Sequence, residues 1–209
     1  MLHPIDPLFS DEKLVKKIKR KLPNLFQIAE IDCTRNNKIG QEVGATREKI
    51  LTALLIHKFH NAVDMEIPPT VHGVDVILNK IPISIKTITQ ETGYSGVKLF
   101  WTADRDKASE FIDSYVPDAD LMLAVIRWGR EGGLYYILVE DQLELLAHIG
   151  RKTYLHQHRQ NTNNRGVEYN PVTLKILADS AYASLPIIWN KVDLEYRPYH
   201  KWVEQWKLD

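Results

Sequence analysis

The sequence predicts an α/β (α+β) fold with a mixed central sheet flanked by helices, and three observations carry that reading. Apolar residues at helical spacing between Thr46 and His60 (Ile50, Leu51, Leu54, Leu55 and Phe59) mark a long amphipathic helix. Two β-branched runs, G-V-D-V-I-L from Gly73 and I-P-I-S-I-K-T-I from Ile81, are separated only by Asn79 and Lys80, the spacing of a tight hairpin. L-M-L-A-V-I-R-W from Leu121 is almost wholly apolar before its Arg, the pattern of a strand buried on both faces.

The remaining elements follow from punctuation. Ser10 precedes D-E-K-L-V-K-K-I-K-R-K-L as an N-cap, with acids in the first turn and bases in the last, and Pro23 is expected to end that helix. A short helix around Leu25 to Ile31 comes next. After the hairpin, V-K-L-F-W-T from Val97 reads as a third strand and Asp104 to Asp113 as a helix. Helix, three strands, crossover helix, strand is thus the expected order from residue 46 to 128. L-Y-Y-I-L-V-E from Leu134 is a further strand, E-D-Q-L-E-L-L-A-H-I a helix, residues 151–170 a polar loop, V-T-L-K-I-L-A-D-S-A-Y-A-S-L a helix and L-P-I-I-W-N a short strand. The Trp- and Tyr-rich tail is expected to close with a helix.

Composition narrows the function classes. The 209 residues, 44% hydrophobic and 26% charged, describe one globular domain rather than a disordered chain. It divides into a helical segment over 1–40, a core over 41–140, and elements over 141–209 expected to serve recognition and dimerisation. A single cysteine, Cys33, excludes an intramolecular disulfide and a Cys-based zinc site. His57 and His60 are three apart on the long helix without a further ligand in view, and read as packing or surface residues. No apolar run approaches the roughly 18 residues of a membrane span, and M-L-H-P-I-D-P-L-F lacks a signal-peptide pattern, so a cytoplasmic protein is expected. Lys+Arg and Asp+Glu balance at 27 each, which argues against nucleic acid only on average. Locally, K-L-V-K-K-I-K-R-K from Lys13 has no acid, nor has the stretch from Arg151 to Arg165.

The hairpin is the most informative feature. With Leu78 and Ile81 flanking the turn, Ile77 faces Pro82, Val76 faces Ile83, Asp75 faces Ser84 and Gly73 faces Lys86. Asp75, Ser84 and Lys86 then share one face, while Val74, Val76, Leu78, Ile83 and Ile85 line the other. A carboxylate beside an ammonium suits metal-dependent phosphodiester hydrolysis. The carboxylate offers hard oxygen to a divalent cation, and the lysine can orient the attacking water and offset charge on the transition state.

G-V-D-V-I-L followed by I-S-I-K-T, in this element order, resembles the PD-(D/E)xK nuclease superfamily, and within it the type II restriction endonucleases. The resemblance covers roughly residues 40–130. It implies an αβββαβ core, Asp75 as metal-binding carboxylate, Lys86 as catalytic lysine, and Ser84 at the position of the second acid, a Ser-x-Lys variant of the motif. The Ile85 carbonyl is then a further metal ligand. The substitute acid falls among Glu48, Glu110 and Glu91. Glu48 ranks first because Leu51 and Leu55, three and seven residues on, place it on the core-facing stripe; the plain alternative is a first-turn acid complementing the helix dipole.

The expected function is therefore Mg²⁺-dependent cleavage of double-stranded DNA by a homodimer at a short specific, palindromic site, leaving 5′-phosphate ends. A DNA methyltransferase in the same system is implied as a functional partner without a stable complex. The loop 151–170 is rich in Arg, His, Gln and Asn, which can read guanine and adenine edges in the major groove; Lys152, Arg159, Asn163, Asn164 and Arg165 are the candidates. Lys16 and Lys17 are candidates for phosphate contacts. The five tryptophans, Trp101, Trp128, Trp189, Trp202 and Trp206, are expected in the core and a dimer interface. A repair or junction nuclease of the same fold, and a DNA-binding protein with a decayed nuclease core, are the competing readings.

Overall fold

The computed structural model describes residues 3–33, 41–67, 73–90, 96–157 and 166–207. Helices α1 (Asp6–Ser10), α2 (Glu12–Cys33) and α3 (Gln41–Phe59) come first, then strands β1 (Val63–Asp64), β2 (Val76–Leu78), β3 (Ile81–Thr89) and β4 (Lys98–Phe100). Helix α4 (Arg105–Ser114) leads to β5 (Asp120–Ile126) and β6 (Glu131–Ile137), followed by α5 (Val139–Ile149) and α6 (Arg151–Tyr154). Strands β7 (Leu155–Gln157) and β8 (Val167–Tyr169), helix α7 (Pro171–Asp179), β9 (Ala183–Ile188) and α8 (His200–Trp206) complete the order.

Six strands form one mixed sheet in the order β1-β2-β3-β5-β6-β9. Only β3 and β5 are parallel, with Ser84 beside Leu121 and Lys86 beside Leu123, because the chain between them returns through α4. Every residue of β5 is buried, as its unbroken apolar run requires. One apolar layer joins Leu14, Ile18, Leu22, Phe26, Leu51 and Leu55 to Val76, Leu78, Ile83, Ile85 and Trp189. The other joins Ile88, Leu121, Leu123 and Val125 to Tyr154, Tyr169, Leu174 and Leu177. The sheet is thus closed by helices on both faces.

Asn79 and Lys80 both take positive φ, 47° and 71°, the two left-handed residues of a type I′ hairpin, and the expected pairs Val76–Ile83, Ile77–Pro82 and Leu78–Ile81 form. Pairing ends there, so Asp75 does not stand in register with Ser84, nor Gly73 with Lys86. Asp75 donates its N–H to the Ile83 carbonyl at 2.9 Å, and Gly73 takes a positive φ of 84°. Because β2 begins only at Val76, β3 beyond Ile83 has, among the described residues, no strand paired to its edge away from β5.

Tertiary packing corrects several local expectations. Pro23 does not end a helix: α2 runs through it to Cys33 and absorbs the short helix expected at 25–31. A proline inside a helix costs about 3 kcal/mol. Continuous burial of Leu14, Ile18, Leu22, Phe26 and Ala29 offsets it, and Pro23 is itself buried in that stripe. The cap of α2 is Asp11, whose carboxylate accepts the Leu14 N–H at 3.0 Å, whereas Ser10 closes α1. Helix α3 starts at Gln41, so Glu48 lies in its interior and not in its first turn.

V-K-L-F-W-T does not enter the central sheet. Its strand β4 pairs with β8 in a second sheet, β4-β8-β7, and the first strand of the three-strand run is instead the two-residue β1, too short to show alternation in sequence. Nor is 151–170 a polar loop throughout. Tyr154, Leu155, Val167 and Tyr169 are buried and carry α6, β7 and β8. The helix expected over V-T-L-K-I-L-A-D-S-A-Y-A-S-L stops at Asp179, and Ala183 begins β9. Among the described residues no helix is long and apolar enough to cross a membrane.

Candidate active site

The open edge of β3 gathers the charged residues. At Ile85 the strand has backbone groups that, among the described residues, no sheet neighbour takes on that side, and side chains take them instead. The Ile85 N–H donates to Asp75 Oδ2 at 2.6 Å, and the Lys86 ammonium donates to the Ile85 carbonyl at 2.9 Å. Lys86 Nζ also donates to Asp75 Oδ2 at 3.2 Å. From the neighbouring helix α3, Glu48 brings Oε1 to 4.0 Å from the same nitrogen. Three oxygens from three separate stretches of chain, α3, β3 and the residue just before β2, therefore converge on one cation.

The centre is half sheltered: the side chains of Lys86, Asp75 and Glu48 are 14%, 31% and 29% exposed. Burial pushes the Glu48 carboxyl above its usual range; Lys86 pulls it down and Asp75 pushes it further up. The folded protein thus holds the Glu48 proton more tightly than the unfolded chain does. Unfolding then releases a proton at pH values above the ordinary 4.5 of a glutamate, so wild-type stability declines as pH rises from there through the raised value. Glu48→Gln removes that decline. In metal-free buffer the variant is expected to melt above wild type at about pH 8 and to converge with it in acid, checked by thermal unfolding across pH. Equal melting temperatures at both ends would contradict the assigned cause.

The donor set fits a hard divalent cation. Two carboxylates and a peptide carbonyl are oxygen ligands of the kind Mg²⁺ takes, and the ammonium now stands where they converge. No cluster of three or more His, Cys, Asp or Glu side chains able to hold a metal exists among the described residues, so the carbonyl is a needed member of the set.

Ser84 lies apart from these contacts. It lines a neighbouring cavity of about 430 Å³ with Gly73, Leu99, Phe111, Tyr115 and Tyr169, and its hydroxyl makes no hydrogen bond to Asp75, Lys86 or Glu48 among the described residues. In that cavity the Tyr115 and Tyr169 hydroxyls are 3.0 Å apart, and burial pushes Tyr169 up to about 12. Of the alternative acids, Glu110 is exposed on α4, a helix packed on α6 and β8, and touches neither Asp75 nor Lys86 among the described residues. Glu91 lies outside the described residues.

The recognition candidates are placed only in part. Arg159, Asn163, Asn164 and Arg165 lie outside the described residues, between the antiparallel strands β7 and β8. Lys152 is exposed on α6, at a surface cavity of about 360 Å³ shared with Ser109, Asp113 and His156. Lys16 and Lys17 are exposed on α2, where Lys16 pairs with Glu12 at 3.9 Å and Lys17 meets His57 at 2.9 Å. Trp189 is fully buried and Trp128 partly so, whereas Trp101 and Trp206 are 52% and 90% exposed.

A family model described as "Restriction endonuclease ThaI" matches residues 8–208. The chain belongs to the ThaI restriction endonuclease family. A solved structure described as "Restriction endonuclease in complex with substrate DNA" superposes with a TM-score of 0.90 at 39% identity, covering 98% of this chain and 99% of the other. A search of curated proteins finds no match. As a member of the family the chain is a type II restriction endonuclease, a site-specific deoxyribonuclease, and its six-stranded mixed sheet flanked by helices is the fold of such an enzyme.

Sequence reasoning missed Arg47 in this endonuclease. It is 3% exposed, between Val43 and Leu51 on the buried stripe of α3, and reaches both Glu30 and Thr89. Its signal was present: four residues from Val43 and four from Leu51, a cation stands in the middle of an apolar stripe.

Proposed function

We propose that this enzyme hydrolyses DNA at the open edge of β3, with Asp75, Glu48 and the Ile85 carbonyl holding Mg²⁺ and Lys86 as the catalytic lysine. The observation that carries the reading is the convergence of Asp75 Oδ2, Ile85 O and Glu48 Oε1 on Lys86 Nζ. When bound, the cation supplies Lewis-acid charge against the scissile phosphodiester. Asp75 is oriented by the Ile85 N–H, so one carboxylate oxygen is aimed before any ligand arrives. Lys86 orients the attacking water and offsets charge building on the phosphorus. In-line attack by water breaks the bond to the 3′ oxygen and leaves 5′-phosphate and 3′-hydroxyl ends.

The same reading makes the enzyme a homodimer on a palindromic site, since a twofold protein presents one such edge to each strand of twofold DNA. The exposed Trp101 and Trp206 are its candidate interface aromatics. Lys152, Arg159, Asn163, Asn164 and Arg165 read or flank the bases, Lys16 and Lys17 hold phosphates, and Ser84 takes the place of the second acid without binding metal. A partner methyltransferase protects the host site without a stable complex, and both act in the cytoplasm.

Digestion of a sequenced plasmid tests the whole reading. Discrete fragments that require Mg²⁺, carry 5′-phosphates and map to one short palindrome are expected. Cleavage undiminished in excess chelator would overturn the metal assignment, and fragments from an asymmetric site would overturn the symmetric dimer.

A further inference from the structure

We propose that Arg47 is a positioning residue for cleavage: through Thr89 it locks α3 to the strand that carries Lys86, and so holds the adjacent Glu48 carboxylate at the reacting centre. The inference rests on the place of Glu48 in the centre proposed above. Arg47 is 3% exposed, and an unpaired cation at such depth is costly. Its guanidinium is therefore divided between two elements. One nitrogen pairs with Glu30 of α2, and the other donates to Thr89 Oγ1 of β3 at 2.7 Å. Glu30, itself 4% exposed, also accepts from Trp128 Nε1 at 2.7 Å and pairs with Lys191 at 3.0 Å.

A buried ion pair is a weak source of net stability, and an apolar side chain could fill the same stripe. What the guanidinium adds is direction. The apolar contacts of Leu51 and Leu55 hold α3 down on the sheet but do not fix its height along the strand. The planar fork with two fixed acceptors does. Thr89 lies three residues beyond Lys86 on one strand, and Arg47 immediately precedes Glu48 on one helix. Arg47–Thr89 is thus a short bridge between the backbones carrying Glu48 and Lys86. Of the two carboxylates, Asp75 is fixed by the strand edge itself, whereas Glu48 arrives from a separate helix and stands farther off, 4.0 Å against 3.2 Å. A misplacement near 1 Å at a reacting centre can cost about 100-fold.

Thr89→Val removes the acceptor and keeps the shape, while Thr89→Ser keeps the acceptor. The full-length enzyme is measured for single-turnover cleavage in Mg²⁺, for cognate-DNA affinity in chelator, and for the gain in that affinity on adding Ca²⁺. We expect Thr89→Val to cleave about tenfold more slowly at unchanged affinity in chelator, and to lose several-fold of the Ca²⁺ gain. Thr89→Ser should restore both, and in a Glu48→Gln background Thr89→Val should change neither. Wild-type cleavage and Ca²⁺ gain in Thr89→Val, equal impairment in Thr89→Ser, or an undiminished effect in the Glu48→Gln background each overturn the proposal. The underlying reading is judged separately: if Glu48→Gln alone behaves as wild type, Glu48 has no place in the centre and both fall. If Glu48→Gln is impaired while Thr89→Val is not, only the positioning role falls.

Discussion

Asp75→Asn is expected to reduce DNA cleavage by about 10³-fold or more, and Lys86→Ala by about 10²–10⁴-fold. Asparagine keeps an oxygen for the Ile85 N–H, so the strand edge stays ordered and the loss reports the missing negative charge rather than a collapsed loop. Lys86→Ala leaves Asp75 and Glu48 facing each other without the ammonium between them. Its cleavage loss is expected to come with tighter Ca²⁺ binding in the DNA complex, because the competing positive charge has gone. Both variants should retard cognate DNA in chelator as wild type does, since neither residue is among the proposed base or distal phosphate contacts. Rapid single-turnover cleavage by Asp75→Asn would remove it from the centre.

The second large effect concerns stability. Glu30→Ala leaves the buried Arg47 guanidinium with Thr89 as its remaining acceptor among the described residues, and removes the acceptor of Trp128 Nε1. Breaking a buried pair from one side costs about 3–5 kcal/mol. For a chain of this size that corresponds to roughly 6–20 °C in melting temperature. Thermal unfolding by circular dichroism checks it, and a shift within about a degree would mean that the pair contributes no more than an exposed one. Glu30→Gln retains an acceptor for Trp128 and should fall between the two.

Much of the fold and of the candidate site could be read along the chain, for a physical reason. The hairpin and the central strand obey period-two or fully apolar patterns, and each pattern is a consequence of which faces are buried. A two-residue turn then leaves one register, so Asp75 and Lys86 had to come close. Glu48 could be named because helical period places it near Leu51, and the structure does bring it to Lys86. The expected face-to-face pair of Asp75 with Ser84 was the wrong detail. The ladder ends one residue early, and the carboxylate turns along the strand to Ile85 instead.

What the sequence by itself determined about this protein is the long helix α3, the hairpin with its register, the buried strand β5 and the two residues that the register forces together, because these depend on neighbours a few positions away. Only the tertiary structure decided that α2 continues through Pro23, that V-K-L-F-W-T belongs to a second sheet, that a two-residue strand begins the central one, and that Arg47 is buried between Glu30 and Thr89. Each of these depends on partners distant in sequence: a helix penalty is offset by burial against another element, a strand goes where an edge is free, and a charge is tolerated inside only where another chain segment supplies its counter-charge. The reacting centre stands at the junction of the two, with Asp75 and Lys86 placed by local register and Glu48 by how a helix rests on a sheet.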